Sequence, residues 1–203
     1  MSGPLLPSAI SDLVSAFSAL PGIGAKTARR LAFYLVEAPP EKTRQLHRAL
    51  SRMETELGHC PTCGFFSRPQ EACVLCASSR RETGQLCVVG RIQDVLAIEE
   101  ASVFHGRYHV LGGYISPLNQ VFPEDLRLEP LLARIEAERI SEVILAFDAV
   151  SDADYTAQYL LELFPPTVRV HRIAAGIPFG GELEYTDGIT LSHAFTLKRE
   201  LPH

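Results

Sequence analysis

Two CxxC pairs, Cys60-Pro61-Thr62-Cys63 and Cys73-Val74-Leu75-Cys76, are separated by nine residues and constrain how the chain around them can fold. Residues 58–81 are rich in Cys, Pro, Gly and polar side chains and show little apolar periodicity. A segment of that composition cannot bury a core and needs a staple. Each CxxC can aim two thiolates at one ion, and two pairs complete a tetrahedron, which predicts a structural zinc site. Bound zinc supplies the folding energy that the segment lacks. With cysteine at all four positions, no coordination site remains open for catalysis. The fifth cysteine, Cys87, lies in an apolar run and reads as core, and His59 reads as a neighbour of the site. An odd cysteine count with tight pairs suits a reducing compartment better than a disulfide framework. A redox role would need one CxxC in a thioredoxin-like βαβ context, which the sequence lacks.

Ahead of the cysteines, Ile10, Leu13, Val14, Phe17 and Leu20 recur at helical spacing, with Ser8 as a cap. Pro21-Gly22-Ile23-Gly24 must break that helix. A second helix is expected from about Ala25 to Glu37, where Pro39-Pro40 stops it. A third is expected over Glu41–Leu57, with Leu46, Leu50, Met53 and Leu57 on one stripe. Leu20 to Ala28 therefore reads as a helix-hairpin-helix motif. Gly22 and Gly24 supply backbone freedom, and Ile23 tucks between the helices. The free N–H groups of the second helix suit a phosphate. Lys26, Arg29 and Arg30 add positive charge, so Gly22, Gly24, Lys26, Arg29 and Arg30 form the candidate DNA-binding set. Such a site reads the phosphate backbone without sequence preference. The plainer alternative is an ordinary interhelical turn.

From Leu86 onward short apolar runs alternate with helical stretches. Strands are expected at Leu86–Val89, Tyr108–Leu111, Glu142–Phe147 and Val168–Ile173. Helices are expected near Gln93–Glu100, Leu128–Glu138 and Asp154–Phe164. This order predicts an α/β domain with a mostly parallel sheet. Residues 174–188 read as an ordered loop and Thr190–Arg199 as a closing helix. Asp148, Asp152 and Asp154 follow the third strand, at the end where parallel sheets place ligand sites. They are a weak candidate Mg²⁺ site of the kind used in phosphoryl transfer. The corresponding enzymes, Toprim-type nucleases, primases and topoisomerases, also need a glutamate just after the first strand. Gly90, followed by Arg91, stands there instead. A solvated acidic loop or helix start is the simpler account of the three aspartates.

The net charge of −5 argues against nucleic acid until its distribution is read. Residues 1–81 carry +4 and residues 82–203 carry −9, so a basic front precedes an acidic body. No apolar run approaches the roughly 20 residues of a membrane helix. Met1 to Ile10 lack a basic stretch followed by an apolar core, which predicts a cytoplasmic protein without a signal peptide.

The order of parts resembles the RecR family of bacterial recombination mediators. The matching residues include Leu20-Pro21-Gly22-Ile23-Gly24 with Lys26, Arg30-Leu31-Ala32-Phe33, the four cysteines and Asp94-Val95. They continue with Tyr108-His109-Val110-Leu111-Gly112-Gly113, Ile115-Ser116-Pro117-Leu118 and Glu142 to Ala146. Thr156-Ala157 and Tyr159-Leu160 follow. The densest match is Arg172-Ile173-Ala174, Gly176-Ile177-Pro178, Gly180-Gly181 and Leu183-Glu184-Tyr185-Thr186-Asp187. Two departures stand out. Family members usually carry an acid where Gly90 stands, and Glu-Gly-Asp or Glu-Gly-Glu where this chain has Asp152-Ala153-Asp154. The resemblance implies a non-catalytic, ring-shaped homo-oligomer, a tetramer, that encircles DNA. It also implies partnership with RecO and RecF in loading RecA onto single strands coated with single-strand-binding protein.

The expected architecture is α/β, in four parts. Residues 1–57 form a helix-hairpin-helix domain and 58–81 a zinc-binding segment. Residues 82–173 form a Toprim-like domain and 174–203 a C-terminal oligomerisation segment. The rival functional reading is a Mg²⁺-dependent Toprim-type phosphoryl-transfer enzyme acting through Asp148, Asp152 and Asp154.

Overall fold

A computed structural model describes residues 6–174, 176–177, 180–196 and 198. The chain divides into two compact units, Met1–Leu57 and Gly58–His203. The first holds α1 (Ser8–Ser18), α2 (Ala25–Glu37) and α3 (Pro40–Glu56). Ser8 is the first helical residue and not the cap. Pro7 precedes it with extended backbone, and no side chain caps the helix. Ala28 and Ala32 are fully buried on α2, so small side chains set the closeness of its packing. Pro40 opens α3, where a missing N–H costs nothing because the first turn has no partner for it.

The second unit opens with β1 (Gly58–His59) and β2 (Phe66–Ser67), an antiparallel pair, followed by the short helix α4 (Val74–Ala77). It continues with β3 (Gln85–Val89), α5 (Ile92–Ala101), β4 (Arg107–Val110), α6 (Leu128–Ala137), β5 (Glu142–Ala146), α7 (Ser151–Leu163) and β6 (Arg169–Arg172). The last four strands form one sheet, in the order β4-β3-β5-β6, and every pairing is parallel. Both faces are covered, as the period of two along each strand demands. Leu86 and Val88 of β3, with Val143 and Leu145 of β5, pack beneath Leu131 and Ile135 of α6 and Leu160 of α7. Cys87, Val89, Tyr108 and Val110 face the other way, toward Val95 of α5 and toward Phe65 and Leu75 of the cysteine segment. That segment thus covers part of a sheet face. The α/β architecture expected from the sequence is the one observed.

The helix expected from Asp154 begins three residues earlier, at Ser151, which puts Asp152 and Asp154 in its first turn. The closing helix, α8, runs over Gly188–Thr196. Its expected end, Arg199, and Pro178 lie outside the described residues. Among the described residues, no helix is long and apolar enough to cross a membrane.

Candidate metal centre and nucleic-acid interface

Cys60 follows β1, Cys63 sits in the turn before β2, Cys73 caps α4 and Cys76 lies within that helix. The turn closes because Cys60 N–H donates to Phe65 O at 2.7 Å and Gly64 N–H to Cys60 O at 2.9 Å. Gly64 has a positive φ of 79°, and an added Cβ would meet Val110 O and Arg127 Nε at 3.0 Å. Glycine is required here for both conformation and space. All four Sγ atoms lie within 4.8 Å of one another, the one such group among the described residues. A tetrahedron of Zn–S bonds near 2.3 Å sets neighbouring sulfurs about 3.8 Å apart, so the group fits a metal ion of that kind. Amide donors already point at sulfur: Cys73 N–H to Cys60 Sγ and Cys76 N–H to Cys73 Sγ, each at 3.4 Å.

Without an ion the four thiols share protons. Cys76 is pulled down to about 6 by the hydrogen bond from Cys63, against its burial and with help from Arg134. Cys63, which holds that proton, is driven up by the same bond and by burial. A divalent cation replaces those protons and removes the repulsion among thiolates. Cys87 belongs to the sheet core, where burial pushes its thiol up to about 12. His59 is held by its own contact, Nδ1 to Gly64 O at 3.2 Å.

Two residues that local sequence pattern did not single out dock this centre on the sheet. Val110 N–H donates to Cys63 O at 2.8 Å. Arg127 donates from Nη2 to Pro61 O at 2.9 Å.

In the first unit, Ile23 N–H donates to Leu20 O at 3.1 Å, closing a tight turn with Pro21 second and Gly22 third. Gly22 has φ 78°, the left-handed value that the third position of a type II turn demands. Gly24 differs from expectation. Its φ of −78° and ψ of 165° are ordinary extended backbone, and an added Cβ would meet nothing within 4 Å. No side chain caps the start of α2, and no acidic residue occupies its first turn. Lys26, Arg29 and Arg30 are exposed on the same helix, and none makes an ion pair among the described residues. They line an open groove along α2 with Phe33 and Tyr34.

The three aspartates stand apart from one another in role. Asp148 Oδ2 accepts from Arg91 Nη2 at 2.5 Å. Asp154 is paired with Arg172, whose Nη2 also donates to Asp148 O at 3.1 Å. Asp152 contributes its backbone carbonyl to the Thr156 hydroxyl. The place where an acid would follow β3 is filled. A Cβ on Gly90 would lie 2.5 Å from Tyr114 Cζ, and the Tyr114 hydroxyl accepts from Asp148 N–H at 3.0 Å. Tyr114 packs edge-on against Phe147.

A helical hairpin, a four-cysteine cluster able to hold a metal ion and a parallel α/β sheet stand together in this one chain. Three family patterns match in order: "RecR, helix-hairpin-helix" over residues 10–53, "Toprim domain" over 84–174 and "RecR, C-terminal" over 176–199. Recombination protein RecR of Parasynechococcus marenigrum is 47% identical over 192 residues, spanning 95% of this chain and 100% of that protein. RecR of Streptomyces coelicolor is 42% identical over 193 residues, 95% and 96% of the two chains. RecR of Acidothermus cellulolyticus is 44% identical with the same coverage. The chain belongs to the RecR family of recombination proteins.

Proposed function

We propose that the protein is a non-catalytic DNA clamp and adaptor of the cytoplasm, stapled by one Zn²⁺ on Cys60, Cys63, Cys73 and Cys76. The observation that carries the DNA reading is the start of α2. Three exposed cations, Lys26, Arg29 and Arg30, none in an ion pair among the described residues, occupy the first two turns of a helix with an uncapped N-terminus after Gly22 and Gly24. Free N–H groups, the positive end of the helix dipole and flexible cations all favour phosphate oxygens. None of these groups is arranged to read a base edge, so binding is independent of sequence.

One hairpin makes few phosphate contacts. A homo-oligomer repeats it and raises the effective concentration without new contacts. The apolar stripe of α3 supports such assembly: Leu46, Leu50, Met53 and Leu57 are between 37% and 57% exposed. We infer a ring-shaped tetramer that encircles DNA and works with RecO and RecF to help load RecA onto single strands. The acidic second unit is suited to protein contacts, since its charge repels bare DNA.

The rival is a Mg²⁺-dependent phosphoryl-transfer enzyme using Asp148, Asp152 and Asp154. It is the weaker reading because two of those carboxylates already hold arginines and Tyr114 fills the space beside Gly90. Light scattering of the full-length protein, alone and with DNA, tests the clamp. A tetramer mass is expected, and a monomer under both conditions contradicts it. Nicking of plasmid DNA with Mg²⁺ or Mn²⁺ would support the enzyme instead.

A further inference from the structure

The cysteine segment does not close completely on the sheet it covers. A cleft of about 360 Å³ runs between the β1–β2 hairpin and the C-terminal ends of β3 and β4. Its walls include His59 and Phe66 on the hairpin, Arg91 and Gln93 at the start of α5, Gly112 after β4, and Arg127. Among the described residues no carboxylate lines it, and the nearest to its cations is Asp148, paired with Arg91.

Both arginines keep donors in reserve. Arg91 gives Nη2 to Asp148, and its Nε and Nη1 have no partner among the described residues. Arg127 gives Nη2 to Pro61 O. Its Nε is sealed from solvent beside Gly64 and does not reach the cleft, so Nη1, with no protein partner among the described residues, is the donor it has left. Beside these cations Phe66 is 40% exposed although it sits in a hairpin. Its ring stacks on that of His59, 6.1 Å away at an interplanar angle of 23°, so His59 backs the exposed Phe66 ring.

A bare aromatic face next to two guanidinium groups is the chemistry that binds a nucleotide. The base stacks on the ring, and the phosphate takes charge-assisted hydrogen bonds from arginine. Size decides the form of the ligand. Ligand pockets run from roughly 300 to 1,000 Å³, so this one takes a single nucleotide and not a paired duplex. A base in a duplex is also stacked on its neighbours and has no free face to offer.

We propose that this cleft is a second nucleic-acid contact, separate from the α2 hairpin. It takes one unpaired nucleotide of a DNA single strand, with the base on the Phe66 ring that His59 backs and the phosphate on Arg91 and Arg127. The hairpin holds any DNA backbone. The cleft adds a preference for single strands, and it does so on a unit whose net charge is otherwise unfavourable to DNA.

The test is photocrosslinking of zinc-loaded, full-length protein to an oligo-dT carrying 5-iododeoxyuridine, with the adduct mapped by mass spectrometry. Lys26→Ala/Arg30→Ala protein is run in parallel, so that failure of the hairpin and failure of the cleft are read separately. An adduct on Phe66 or His59 is expected in both proteins, and it should resist excess duplex but not excess unlabelled oligo-dT. Phe66→Leu and Arg91→Gln, each checked for retained zinc, should lower its yield about tenfold, the effect of removing one stacked base or one phosphate partner. Phe66→Tyr should keep it. Adducts confined to residues 20–34 overturn the proposal, as does an unchanged yield in the Leu and Gln variants. Competition by thymidine monophosphate as effective as by oligo-dT assigns the cleft to a free nucleotide and overturns the strand reading.

Discussion

The amide of Val110 donates to the carbonyl oxygen of Cys63 at 2.8 Å, so the metal knuckle and the edge strand of the sheet share a hydrogen bond. Cys63 offers a metal ligand through its side chain and a docking acceptor through its backbone. An ion held there would couple metal binding to the order of the sheet edge. Cys63→Ser should release the ion and also loosen β4. Hydrogen exchange followed by mass spectrometry should show reduced protection over 58–77 and at Val110, with β5 protected as before. Protection at Val110 that survives the substitution contradicts the coupling.

Gly90 and Tyr114 should behave as one unit. Gly90→Ala drives a Cβ to 2.5 Å from the tyrosine ring, which Phe147 and the Asp148 amide hold in place. Overpacking of this kind costs about 1–3 kcal/mol. Tyr114→Leu in the same chain should recover most of that loss, giving a favourable coupling in a double-mutant cycle by urea denaturation. Strictly additive losses would show that the ring is free to move aside.

Stability should also fall in mild acid because of one histidine. His109 is fully buried, and its Nε2 donates to Arg127 O at 2.8 Å, while Nδ1 has no partner among the described residues. Burial lowers its pKa to about 4, and the nearby Arg134 and Arg127 charges add to the effect against the pull of the Arg127 carbonyl. The unfolded chain takes up this proton near pH 6.5 and the folded one only near 4, so stability rises with pH across that window. Acidification from pH 6.5 to 4 should cost roughly 3 kcal/mol through this group alone. Metal release also contributes in acid, so the measurement is the difference between wild type and His109→Gln, whose amide can keep the bond to Arg127 O. A difference that does not vary with pH contradicts the assignment.

The parts of this fold that sequence revealed are those built from neighbours along the chain. Helices α1 to α3 announce themselves by apolar spacing, and the two CxxC pairs by their own geometry. β3 and β5 read as strands because both of their faces are buried and almost every residue is apolar. What stayed hidden depends on distant partners. Arg127 meets Pro61 across 66 positions, and Tyr114 meets Asp148 across 34. No local pattern marks either one. The early start of α7 was obscured because Val150, which precedes it, offers no capping side chain. Gly24 misled in a different way: glycine after a turn suggests a left-handed backbone, whereas this one is extended, in space that would admit a side chain.

The start of α2 should hold DNA by its phosphates. The direct measurement is a fluorescence anisotropy titration of single-stranded and duplex DNA of several sequences, repeated across about 50 to 200 mM salt. Lys26→Ala/Arg30→Ala protein, with its zinc intact, is compared with wild type. Wild-type affinity should fall linearly with salt on logarithmic axes, and the double variant should weaken every sequence to a similar degree. Its slope should shrink by roughly 0.7 to 0.9 for each phosphate that the variant no longer neutralises. Unchanged affinity and slope in the double variant would contradict the account.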